Sequence, residues 1–118
     1  MKFQENLNVL RDEVYKDAYE HGLYDGEYDA PNLEYAAPGL MFRIQEEVRE
    51  AWSAALDWMH GKLNAKEHVA EELADIIITA LSVAGHLGVD IDAAMRRKVA
   101  YNKTRPHKHI GEEKKHDD

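Results

Sequence analysis

The sequence predicts an all-α fold of four helices. Three observations carry this prediction. Apolar residues recur at spacings of three and four in three segments, a capping Asp90 and a stopping Pro106 bound a fourth, and Gly, Pro and Asn fall between the segments. Nowhere do apolar and polar residues alternate as a half-buried strand requires. The 118 residues suit a single domain with one core.

Leu7, Leu10, Val14 and Ala18 place a first helix over about residues 5–21, which Gly22 can end. Residues 22–39 hold Gly22, Gly26, Pro31, Pro38 and Gly39 with Tyr24, Tyr28 and Tyr35 between them, and read as a long loop. A second helix is expected over about 39–59, with Leu40, Ile44, Val48, Ala51, Ala55 and Met59 as its apolar stripe. Gly61 and Asn64 mark a turn. A third helix follows over about 65–87, where Val69, Leu73, Ile76, Ile77, Ala80, Val83, Ala84 and Leu87 form a wide apolar arc that points to deep burial. Gly88 suits its C-terminus. Asp90 suits the N-cap of a fourth helix, about 91–102, which Pro106 bars from continuing.

There is no cysteine, so disulfides, thiolate metal sites and cysteine nucleophiles are excluded. The longest uncharged apolar stretch, Ile76 to Gly85, is far shorter than the roughly 20 residues of a membrane span. The polar first residues lack a signal-peptide core, so the cytoplasm is the expected compartment. The net charge of −8 is unevenly distributed: residues 1–95 carry 19 acidic and 7 basic side chains, and residues 96–118 carry 4 acidic and 8 basic. An acidic body argues against broad nucleic-acid binding. It suits carboxylates gathered for cations and a basic strip for phosphates, although helical proteins commonly carry such asymmetry.

Two acidic clusters stand out. The second helix carries Glu46, Glu47 and Glu50, and the third carries Glu71, Glu72 and Asp75. Glu47 with Glu50, and Glu72 with Asp75, are spaced by three and so share a helix face. At about 100° per residue, Glu47 falls at the edge of its helix's apolar stripe and Glu72 beside its own. If the two helices pack antiparallel, the pairs face each other. Four converging carboxylates repel, bound cations relieve the repulsion, and oxygen ligands of this kind suit Mg²⁺ or Mn²⁺. The alternative is a pair of solvated faces, with Glu46 and Glu50 paired to Arg43 and Arg49. A ferritin-like di-iron site lacks its Glu-x-x-His motifs, since the only one is Glu113 with His116 in the tail.

The segments Glu46-Glu47-Val48-Arg49-Glu50 and Glu72-Leu73-Ala74-Asp75 are followed by Lys98-Val99-Ala100-Tyr101-Asn102-Lys103-Thr104-Arg105-Pro106-His107-Lys108-His109. Together with Ala18-Tyr19-Glu20-His21-Gly22-Leu23-Tyr24, these resemble the MazG-like all-α nucleoside triphosphate pyrophosphohydrolases, and within them a bacterial and phage branch. The resemblance covers about residues 5–111. It implies a domain over 1–111, leaving 112–118 as a charged tail with nothing to bury, expected to be disordered. It also implies a four-helix protomer that builds homodimers, often paired into homotetramers. The implied activity is Mg²⁺-dependent hydrolysis of a nucleoside triphosphate to the monophosphate and pyrophosphate, with Mn²⁺ as a possible substitute. Glu47, Glu50, Glu72 and Asp75 then look like the metal ligands, and Asn102, Lys103 and Arg105 like phosphate or sugar contacts. Where relatives often read His-Gly-Gly-Lys, this chain reads His109-Ile110-Gly111-Glu112.

The chemistry is consistent with that resemblance. Arg96, Arg97, Lys98, Lys103, Arg105 and Lys108 can hold phosphates that the acidic face repels, and Tyr101 lies among them. Glu46 adjoins the ligand pair without completing its spacing and is the candidate to orient or deprotonate water, with a surface ion pair as its other role. Trp52 can stack on a base, against a competing role in core or oligomer packing. His21 and Tyr24, at the mouth of the loop, can contact the base. His60, His68 and His86 share no spacing and read as structural. Asp92 reads as an N-terminal helix charge. The alternative function is a non-catalytic nucleotide- or metal-binding regulator, or an interaction protein, on the same helices.

Overall fold

The computed structural model describes residues 4–26 and 33–106. Within them lie four helices and no strand: α1 (Leu7–Glu20), α2 (Leu33–Met59), α3 (Ala65–Leu87) and α4 (Ile91–Thr104). The tail, the basic-strip residue Lys108 and its neighbours His107 and His109 fall outside the described residues.

Three boundaries agree closely with the periodicity, but α2 does not. It begins at Leu33 rather than Gly39 and runs straight through Pro38. Proline has no N–H, so the bond to the carbonyl of Glu34 is missing. That loss falls in the second turn, where burial outweighs it. Ala36 and Leu40 lie on either side of Pro38 and are buried in one cluster with Ala18, Tyr24 and Val83.

The turn between α2 and α3 is built on two left-handed residues, Gly61 (φ 77°) and Asn64 (φ 61°). Glycine adopts this conformation without strain and asparagine tolerates it. Gly61 N–H bonds the carbonyl of Trp58, and Lys62 N–H that of Asp57, which satisfies the last carbonyls of α2. The same bond pattern closes α1 at Gly22 and α3 at Gly88.

Helices α2 and α3 form an antiparallel hairpin, and the rotation of α2 within it differs from the expected one. Its inward line is Ala36, Leu40, Ile44, Glu47, Ala51 and Ala54, at successive spacings of four or three. Val48 and Met59, expected inside, are 44% and 70% exposed. The inward line of α3 is Ala65, Val69, Glu72, Ile76, Thr79 and Val83. Two carboxylates thus occupy positions in the seam itself. The arc of α3 is only partly covered, since Leu73 and Ile77 stay exposed.

Helix α1 packs on α3 at Gly85. A Cβ at that position would stand 2.6 Å from Tyr15 Cβ, closer than side chains can approach. Hydrogen bonds join the starts of α1 and α4. Asn8 Oδ1 accepts from Ile91 N–H (3.1 Å), and its amide donates to Asp90 Oδ1 (2.9 Å). Asp90 caps α4 through Ala93 N–H. Asp92, read as a simple helix charge, also accepts from Leu7 N–H and Arg96 Nε, both at 2.9 Å. These bonds hold the carboxyls of Asp90 and Asp92 below the usual carboxylate range. For Asp90 the leading cause is the Ala93 amide, and for Asp92 it is the Arg96 guanidinium. No helix among the described residues is long and apolar enough to cross a membrane.

Gly85→Ala places a methyl group against Tyr15. It is expected to destabilise the fold by about 1–3 kcal/mol, the usual range for overpacking, despite the higher helix propensity of alanine. Thermal unfolding followed by circular dichroism measures this, and an unchanged melting temperature would show that α1 can shift away freely.

Candidate metal centre

The seam brings three of the four paired carboxylates into one cluster, with Asp75 outside it. Glu47, Glu50 and Glu72 each place a carboxylate oxygen within 4.8 Å of the others. Asp75, one turn beyond Glu72, is close enough for its charge to act on Glu47. The hairpin dictates this meeting: Leu40 of α2 shares the core cluster with Val83 of α3, so residues further along α2 face residues earlier in α3.

The seam position sets the electrostatics. Glu47 Oε2 and Glu72 Oε2 are buried and have no hydrogen-bond partner. Burial raises the pKa of Glu47 above its ordinary 4.5. The charge of Glu50, a hydrogen bond with Glu50, and the charges of Asp75 and Glu72 raise it further. A buried carboxylate oxygen without a donor is costly. A hard divalent cation is the ligand that such an all-oxygen set fits, and it would remove both the repulsion and the missing bonds.

A cleft of about 880 Å³ opens beside the centre, within the usual size range of small-molecule sites. Glu46, Glu47, Glu50 and Arg43 of α2 line one wall, and Ile78, Thr79 and Ser82 of α3 another. Glu13, Asp17 and His21 line the α1 side at successive spacings of four. Tyr24 is 2% exposed, shares a 2.5 Å hydrogen bond with Ser82 Oγ and stacks on the His86 ring, with centroids 4.2 Å apart. Tyr15 OH hydrogen-bonds His86 Nδ1 at 3.0 Å. Arg43 lies over the Tyr24 ring and donates to the Leu23 carbonyl, tying α2 to the residues after α1. Burial raises the Tyr24 pKa. The backbone carbonyl and charge of Asp17 raise that of His21.

The remaining candidates lie elsewhere. Trp52 is 68% exposed and does not line the cleft. It shares the outward α2 stripe with Val48, Leu56 and Met59, because the helix turns it away from Ala51 and Ala54. Lys98, Tyr101, Asn102, Lys103 and Arg105 are exposed on or just after α4, which packs on α1, and none lines the cleft of its own chain. Lys98 and Arg105 instead flank the Tyr101 ring, 5.4 and 5.6 Å from its centroid.

Sequence reasoning missed Glu13, Asp17 and Arg43 as cleft residues. The first two were signalled by their spacing of four to each other and on to His21, and Arg43 by its position one turn before Glu47. It also missed His68, whose Nε2 lies 3.0 Å from Glu72 Oε1. The spacing of four between them was the available signal.

The model of the MazG-like family matches residues 43–118, which include both acidic pairs and the α4 segment. The chain belongs to the MazG-like family. No curated protein and no solved structure matches it. Membership in this family of all-α proteins accords with the four helices, and it suggests a nucleotide pyrophosphohydrolase type of function. Helix α1 and its wall of the cleft lie outside the matched residues.

Glu47→Gln removes one charge from the seam while keeping the side chain's shape. The folded state holds the Glu47 proton more tightly than the unfolded chain does. Its contribution to stability is therefore full below pH 4.5 and falls as pH rises through the elevated folded value. In chelator at neutral pH the variant should melt a few degrees above the wild type, and the difference should vanish in acid. Melting curves across a pH series check this, and a lower melting temperature for the variant at neutral pH would contradict it.

Proposed function

We propose that this protein hydrolyses nucleoside triphosphates, ribo- or deoxyribo-, to the monophosphate and pyrophosphate with Mg²⁺ as cofactor, which Mn²⁺ can replace. One observation carries the reading: in a MazG-like chain, Glu47, Glu50 and Glu72 of adjacent helices meet, with two buried, partnerless oxygens, beside a cleft of nucleotide size. Glu47, Glu50, Glu72 and Asp75 hold the cation. When bound, the cation offsets the triphosphate charge and lowers the pKa of coordinated water.

The protein residues supply the rest. Glu46 lines the cleft one residue before Glu47 and takes the proton as water adds to phosphorus. The anhydride bond between the α and β phosphates breaks, and pyrophosphate leaves with the bonding electron pair. The proton then passes from Glu46 to solvent. His21 contacts the nucleoside at the α1 wall. Lys98, Tyr101, Asn102, Lys103 and Arg105 reach phosphate or sugar only where a second copy brings an α4 to the cleft, and Trp52 lies on the stripe where such a copy would pack. The outward stripes of α2 and α3, with Met41, Val48, Trp52, Leu56, Leu73 and Ile77 exposed, form the surface for that contact. The functional unit on this reading is a homodimer or homotetramer.

Incubation with Mg²⁺ and a panel of nucleoside triphosphates should yield equal amounts of monophosphate and pyrophosphate from at least one of them. Absence of both products across the panel defeats the reading. Asp75→Asn should reduce turnover to the uncatalysed level. Glu46→Gln should lower kcat by about 10²–10⁴-fold, the usual contribution of a general base, and leave cation binding intact. Light scattering should give a dimer or tetramer mass, and a monomer mass would contradict the assembly.

A further inference from the structure

We infer that His68 is a positioning residue for the cation: it holds Glu72 so that this carboxylate binds through one oxygen only, which favours Mn²⁺ and Mg²⁺ over Ca²⁺. The inference rests on the cation reading above and adds a residue outside the four carboxylates. His68 lies one turn before Glu72 on α3, with Nε2 3.0 Å from Oε1. An ionised carboxylate only accepts, so this imidazole nitrogen carries the hydrogen. The other oxygen, Oε2, is buried and has no partner, and Glu72 offers a carboxylate oxygen to the cluster with Glu47 and Glu50.

The arrangement has a physical consequence. A glutamate next to two other carboxylates is repelled, and its flexible side chain gains freedom by turning outward. The Glu72 side chain nevertheless remains 13% exposed, while His68 sits at the rim, 51% exposed. The imidazole bond to Oε1 opposes the outward turn. It also takes one lone pair of Oε1 and fixes the rotation of the carboxylate, which disfavours the symmetric approach of both oxygens to one cation. Ca²⁺ takes six to eight oxygens and often binds carboxylates through both, whereas Mg²⁺ demands a tight octahedron. A donor on the outer oxygen of a ligand is the usual means of fixing its orientation, and its loss typically weakens metal binding by about 10–100-fold.

The test is Mn²⁺ titration of the full chain, followed by electron paramagnetic resonance, with Mg²⁺ and Ca²⁺ as competitors. All titrations are run at one fixed pH. His68→Ala should weaken Mn²⁺ binding by about tenfold and narrow the preference over Ca²⁺. His68→Gln, whose amide can reach Oε1, should restore most of both. Wild-type affinity and preference in His68→Ala would overturn the inference while leaving the cation reading intact. Equal weakening in the Ala and Gln variants would also overturn it, by showing that only the packing of the ring matters. No Mn²⁺ binding by the wild type would overturn the cation reading and this inference together.

Discussion

Glu47 and Glu72 occupy the seam between α2 and α3, where an ordinary hairpin would place apolar side chains. Each leaves one oxygen buried without a donor, and Glu50 and Asp75 add charge from one turn away. Repulsion of this kind opens a helix pair unless the helices are held elsewhere. The rest of the fold can be understood as what holds them.

The holding elements lie at the far end of the hairpin from its turn. Leu40 and Val83 pack there with Ala36, Ala18 and Tyr24. Tyr24 combines stacking on His86, a hydrogen bond to Ser82 and the Arg43 guanidinium over its ring, so one residue after α1 ties α2 to α3. The start of α2 must run through Pro38 to bring Ala36 into that cluster. Helix α1 is pressed onto Gly85 and clasped to α4 through Asn8, Asp90 and Asp92, which sets the cleft wall opposite the carboxylates. Burial is concentrated around the core cluster, and the carboxylates meet outside it.

Much of this was legible in the sequence. The spacing of apolar residues marked three helices, Asp90 and Pro106 bounded the fourth, and Gly22, Gly61 and Gly88 marked ends because each answers a local backbone demand. The two acidic pairs were legible for the same reason, since a spacing of three is a property of one helix. What was not legible depends on tertiary packing. Pro38 is locally a helix breaker, and only the burial of Ala36 and Leu40 overrides it. Val48 and Glu47 compete for the inward face, and periodicity favours the valine; the structure turns the glutamate inward instead. His68, Glu13 and Asp17 carried only a spacing of four, which gained a meaning once Glu72 was seen beside His68 and α1 was docked along the cleft. The outward apolar stripes have the spacing of core residues, so the sequence alone does not say which of the two faces is inside.

The clasp between the starts of α1 and α4 joins residues 82 to 85 positions apart, whereas the carboxylate centre is assembled by a hairpin with a turn of only a few residues. Short loops close quickly, and long ones carry a larger entropy cost before their contacts form. The order in which the chain organises itself therefore sets its most repulsive pairing early, before the distant ends can lend support. On the cation reading, a divalent ion in the folding medium would assist the hairpin at that stage, acting on the rate at which native molecules appear as well as on their final stability.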